Sequence, residues 1–176
     1  MEERGDNNQL FALKYHNTAF FLLDSDREIF FLFAQAAWLK TQMEKIKADH
    51  RIVMLHHTLY SVRRESNNLI QRWMFNDIIC DAKADLVLQG HEHGYAHCTA
   101  DEEPLKGHDC TNPPLYVISH CSPKEYHLHP TKRFYPVIQG SRYYQIIDVD
   151  AKAVTYKAYD VANDALIDSV RITKPK

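Results

Sequence analysis

Apolar and polar residues alternate, cluster and space themselves along this chain in a way that predicts a strand–helix succession followed by a meander. Phe11–Tyr15 and Ala19–Leu23 read as two strands joined by a turn at His16-Asn17-Thr18. Ser25-Asp26-Arg27-Glu28 has the form of a capping box, so a helix is expected to begin there. Ala36, Leu39, Met43 and Ile46 then recur at helical spacing, with Lys40, Glu44 and Lys47 outside the stripe. Arg51–Leu55 is an apolar strand. Asn67 or Asn68 is placed to cap a second helix carrying Ile70, Trp73, Met74 and Ile78 on one side, and Leu86–Leu88 follows as another strand. Central strands that are apolar nearly throughout, separated by helices, are the signature of parallel strands with crossover connections. After residue 93 the pattern changes to a long irregular stretch around the strand Leu115–Ser119. It closes with Tyr143–Val149, Ala153–Tyr159 and Leu166–Ile172, which read as an antiparallel meander turning at Asp150-Ala151 and Ala162-Asn163. The expected fold class is therefore α/β (α+β mixed), with mixed sheets and flanking helices.

Composition narrows this little. The 176 residues suit a single domain over 1–176, and 45% hydrophobic with 25% charged residues is ordinary for a globular protein. A net charge of −2 without a basic block gives no sign of nucleic acid or of an anionic membrane as partner. The most apolar stretch, Ile29–Leu39, is too short to span a bilayer, and the acidic, polar opening does not read as a signal peptide. Localisation stays open, with the periplasm or secretion considered for a complete protein. Four cysteines lack CxxC spacing. Cys98 and Cys110 bracket a polar loop, where they either pair or stay reduced; with His97 and His108 they also make a less favoured structural zinc set.

Candidate chemistry lies in the eleven histidines. Two apolar strands each deliver imidazoles at their C-terminal ends: His56-His57 after the first, and Gly90-His91-Glu92-His93 after the second. On extended backbone His91 and His93 would point to one side, about 6.5–7 Å apart at Cα, which suits metal ligation. His56 is favoured as the ligand of its pair, with His57 as its neighbour. Arg63 and Arg64 follow that loop and are candidates to reach an anionic substrate. His120 and Lys124 are placed to border the cleft, with a structural role as the default, whereas His127-Leu128-His129 reads as surface loop. His91-Glu92-His93 as the first ligand pair of an amidohydrolase barrel is a weak rival, because the eightfold pattern of such a barrel is missing.

Val53-Met54-Leu55-His56-His57-Thr58-Leu59-Tyr60 and Ala84-Asp85-Leu86-Val87-Leu88-Gln89-Gly90-His91-Glu92-His93-Gly94-Tyr95 resemble the last two metal-binding motifs of calcineurin-like metallophosphoesterases, in the purple acid phosphatase-like branch. Gln35-x-x-Trp38-Leu39, Leu115–Ser119 and Ala165–Ser169 add to the resemblance. It implies a sandwich of two mixed sheets and a two-metal site of iron, zinc or manganese. His56 and His91 would hold one metal and His93 the other, for hydrolysis of phosphate mono- or diesters by an activated water. The family's earlier motifs, which supply aspartates, an asparagine and a further histidine, are missing. Gly5-Asp6-Asn7-Asn8 mimics one of them but has no preceding strand. The chain thus resembles the C-terminal half of such a domain. It is expected to be inactive alone, with at most one weakly bound metal, and to have a missing half or a second copy as partner. Loss of the first half is also expected to strip neighbours from the parallel strands and expose their edges. The alternative is a non-catalytic fragment with a structural or protein-binding role.

Overall fold

A computed structural model of the chain describes residues 2–4, 10–63, 68–99, 110–129 and 131–174. Among these, the elements in chain order are β1 (Glu2–Arg4), β2 (Phe11–Tyr15), β3 (Thr18–Leu22), α1 (Ile29–Lys45), β4 (His50–Leu55) and α2 (Leu69–Asp81). They continue as β5 (Leu86–Gln89), β6 (Tyr95–Thr99), β7 (Leu115–Ile118), β8 (Val137–Ile138), β9 (Tyr143–Val149), β10 (Ala153–Asp160) and β11 (Leu166–Thr173). Eight strands form one sheet in the order β1-β2-β3-β4-β5-β7-β6-β8, and β11-β10-β9 form a second. The pairs β3–β4, β4–β5 and β5–β7 are parallel, as the strand–helix alternation predicts. The closing meander is antiparallel throughout.

The layers follow from the two-residue period of the central strands. Val53, Val87, Tyr116 and Ile118 face α1 and α2, together with Leu39, Met43, Phe75 and Ile79. Ile52, Leu86, Leu115 and Val117 face the small sheet and pack on Val154, Tyr156 and Ala158. Both faces of the parallel strands are thereby covered, which is why these strands are apolar without alternation.

Several expectations are corrected. The parallel strands are not stripped of neighbours: the hairpin β2–β3 flanks them on one side and β6 on the other, and the outermost strands β1 and β8 are short. Strands β1, β6 and β8 had no strong alternation to announce them. In α2 the buried stripe is Met74, Phe75, Ile79 and Cys80, while Ile70 and Trp73 stand 49% and 58% exposed. Cys98 does not pair with Cys110. The disulfide joins Cys80, at the buried end of α2, to Cys110, and Cys98 is buried outside that bond. That bond removes Cys110 from the zinc set, and His97 is drawn instead to Asp168, 3.1 Å away. His108 lies outside the described residues, as do Arg64, Asn67 and the Gly5–Asn8 segment.

Candidate metal centre

Strands β4 and β5 run in parallel with Leu55 opposite Gln89, so the residues that follow them leave the sheet side by side. The Gly90 N–H donates to the His56 carbonyl at 3.0 Å, which carries the ladder one step beyond the strands. A Cβ on residue 90 would lie 3.3 Å from His56 Nδ1, so glycine leaves room for that imidazole. The chain then turns sharply: His91 takes the left-handed conformation, with φ of 63°. His91 and His93 therefore do not share one face as extended residues would. His91 Nδ1 lies 3.4 Å from His56 Nε2, whereas the His93 ring stacks on His120 at 5.3 Å and meets Tyr126 at 4.5 Å between centroids. The His57 ring also comes to 4.7 Å from that of His91.

Hydrogen bonds outside the cluster fix the imidazoles. Ser25 Oγ accepts the His56 and His57 backbone N–H groups at 3.1 and 2.8 Å, and lies 3.2 Å from His57 Nδ1. With both acceptor positions used, the serine hydroxyl donates to Nδ1. The proton of His57 then sits on Nε2, which faces Asp26 Oδ1 at 3.9 Å. His57 consequently keeps no lone pair for a metal. His93 is set the other way. Its Nδ1–H donates to the Lys124 carbonyl at 2.8 Å, leaving Nε2 as the free acceptor.

Glu92, fully buried, is the strut between the two histidine loops. One oxygen accepts the Thr58 hydroxyl at 2.9 Å and bonds to Ser61 Oγ; the other accepts the Val62 N–H at 2.7 Å. Gln89 Oε1 accepts the Leu59 N–H at 2.6 Å, and Asn68 Nδ2 donates to the Thr58 carbonyl at 2.9 Å. Neither Ser25 nor Asn68 makes a side-chain cap on the helix that follows it. Both cap-like residues are used to anchor the His56 loop. Their cap signatures were legible, but their role as anchors depends on contacts 10 to 32 residues away.

The far wall of the cleft consists of Tyr126 between two cations, with the Arg63 guanidinium 4.0 Å and the Lys124 ammonium 4.7 Å from its ring centroid. These cations, Lys124 first, hold the Tyr126 phenol below its ordinary range. The following segment is not a plain surface loop. Leu128 is buried under Gly94, where an added Cβ would lie 2.3 Å from Leu128 Cδ1, and the His129 N–H donates to the Val62 carbonyl at 2.9 Å. Burial, followed by the proximity of His57, holds His56 and His91 below the usual imidazole range; burial and then His93 do the same for His120. Neutral rings are what metal ligation requires.

The fit to a metal is partial. Two nitrogens at about 2.0–2.1 Å from one tetrahedral ion lie roughly 3.3 Å apart, and the His56–His91 separation of 3.4 Å matches. Yet among the described residues no group of three or more His, Cys, Asp and Glu side chains is arranged to hold an ion. The nearest carboxylate to this pair's neighbour, that of Asp26, is exposed.

This mixed two-sheet fold is shared with parts of two larger solved structures. The chain superposes on purple acid phosphatase PPD1 from seeds of yellow lupin, Lupinus luteus, with a TM-score of 0.77 at 14% identity, over 93% of this chain and 32% of that one. It also superposes on GAP50, the anchor in the inner membrane complex of Plasmodium, with a TM-score of 0.69 at 14% identity, over 95% of this chain and 54% of that one. The chain thus spans about a third and about half of the two, and at this identity the likeness is one of fold. No protein-family model and no curated protein sequence matches the chain.

Proposed function

We propose that this chain is the C-terminal portion of a metal-dependent phosphoesterase domain, with His56 and His91 as ligands of one metal and His93 as a ligand of a second. The single observation that carries this reading is the approach of His56 Nε2 to His91 Nδ1 at 3.4 Å, at the C-terminal edge of adjoining parallel strands. A bound pair of iron, zinc or manganese ions supplies Lewis acidity and a hydroxide nucleophile at neutral pH. The chain's own residues orient the ligands: Lys124 fixes the His93 tautomer through its carbonyl, Ser25 fixes that of His57, and Glu92 holds the two loops together. Arg63 and Lys124 place positive charge beside His93, where a phosphate mono- or diester would sit. The Cys80–Cys110 bond suits an oxidising compartment, periplasmic or extracellular. The carboxylates that no described residue brings to the cluster would come from a partner, either an N-terminal half or another copy.

A second reading has its own support. A structural or protein-binding role fits the absence, among the described residues, of a metal-holding group, together with the likeness to a protein described as an anchor. Calorimetric titration with zinc and manganese, run beside an aryl phosphate assay, separates the two. The chain alone is expected to bind at most one metal weakly and to turn over almost nothing. Joined to a segment bearing the aspartate and asparagine motifs, it should hydrolyse the ester only with added metal. His91→Ala in that complete protein should then cost at least about 100-fold in rate. Metal-independent turnover, or an unaffected His91→Ala protein, overturns the phosphoesterase reading.

A further inference from the structure

The N-terminal turns of α1 and α2 carry an apolar surface that no described element covers. Ile29, Phe30 and Phe33 lie on one flank of α1 by helical spacing, and Leu69, Ile70 and Trp73 repeat the same spacing on α2. The two rows meet where Phe33 and Trp73 pack edge to face at 5.9 Å. Phe30 is 79% exposed, Trp73 58%, and the other four between 42% and 50%. Together they present on the order of 600–700 Å² of side-chain surface, above the largest apolar patch of an ordinary monomer and close to one side of a standard-size interface. Sequence periodicity alone would turn Ile70 and Trp73 inward. The core instead takes Met74, Phe75 and Ile79, leaving these large side chains outside.

We propose that this face is the contact between two copies of the chain. Its area is what each partner of a stable dimer must contribute, and a two-fold axis through it would set the apolar rows of one copy on those of the other. The location also matters. α1 is preceded by the Ser25–Asp26 segment that holds His57, and α2 by Asn68, which holds Thr58. A copy seated here therefore borders the histidine cluster. The inference deepens the partner element of the proposed function, but its test reads association alone and involves neither metal nor phosphate ester.

Sedimentation velocity of the chain from about 1 to 100 µM should show a reversible dimer. Phe30→Glu and Trp73→Glu each place a carboxylate in the middle of the contact and should weaken association roughly 30-fold or more. Circular dichroism and the thermal midpoint should stay unchanged, because both side chains are exposed in the monomer. Phe31 lies on the opposite flank of α1, under the Arg27 guanidinium at 4.5 Å, so Phe31→Glu should dimerise like the parent. A monomer across the whole range overturns the proposal and leaves the face to another polypeptide. A dimer indifferent to Phe30 and Trp73 overturns it equally.

Discussion

Removing the Glu92 carboxylate should loosen the fold and the histidine cluster together. The side chain is fully buried and serves three donors: the Thr58 hydroxyl at 2.9 Å, Ser61 Oγ, and the Val62 N–H at 2.7 Å. Hydrogen bonds to a charged group contribute about 1.5–3 kcal/mol each, but a buried charge also carries a desolvation cost that disappears with it. Glu92→Ala deletes all three and strands the Val62 N–H, a buried donor that cannot rotate to find another acceptor. The expected loss is about 3–4 kcal/mol, a large part of the 5–15 kcal/mol typical of a domain. Glu92→Gln should cost only about 1 kcal/mol, because the amide oxygen can take the Val62 N–H while its NH₂ donates to hydroxyls that can turn. Urea unfolding followed by circular dichroism, with the disulfide intact, measures both. Amide exchange at Val62 should accelerate in the alanine variant well beyond exchange in the small sheet. An alanine variant within about 1 kcal/mol of the parent would refute the strut argument, as would a glutamine variant as damaged as alanine.

Three further outcomes follow from the same structure. His56, His91 and His120 are held neutral chiefly by burial and so bind protons less readily folded than unfolded; the stability they confer is present above about pH 6.5 and is lost as pH falls through their lowered folded values. The urea midpoint should therefore drop as pH falls below about 6.5, and a flat or rising midpoint contradicts the assignment. Cys110→Ser opens a loop of 30 residues and should cost about 3–4 kcal/mol, measured by the same unfolding curves. Alkylation of the folded parent should label Cys121 alone, with Cys98 reacting only after unfolding.

What the sequence made legible is what depends on short-range pattern. The parallel strands β4, β5 and β7 and the meander β9–β11 stand within a residue or two of the expected spans, because burial on both faces, or on alternate residues, leaves a direct imprint. The site was legible in residue type and less so in geometry. His91 leaves the strand in a left-handed turn rather than an extended one, so the His-x-His spacing does not translate into a shared face. Strand β6 went unread because its pattern, Tyr95-Ala96-His97-Cys98-Thr99, has polar and small residues where apolar ones would announce a strand. The disulfide partner of Cys110 depends on where the end of α2 sits in the folded chain, and spacing carries no record of that.

The misread caps carry the argument furthest. Ser25 and Asn68 both have the chemistry of helix N-caps, yet α1 opens at Glu28, three residues beyond Ser25, and both side chains serve the loop that presents His56 and His57. A side-chain cap is worth about 1 kcal/mol to a helix. With no side-chain cap on either helix, α1 and α2 are held by packing, and the chain gains a loop tied at Ser25, Asn68, Gln89 and Glu92. Ligand side chains held this firmly before any ion arrives lose little freedom on binding, which is the preorganisation a metal site needs. The same anchoring does nothing to supply oxygen ligands. The cluster thus has the anchoring that the proposed metal centre would need, and lacks among its described residues the carboxylates that would complete it. That asymmetry is why the decisive measurement is metal affinity with and without a partner that brings those oxygens, rather than a search for activity in the chain alone.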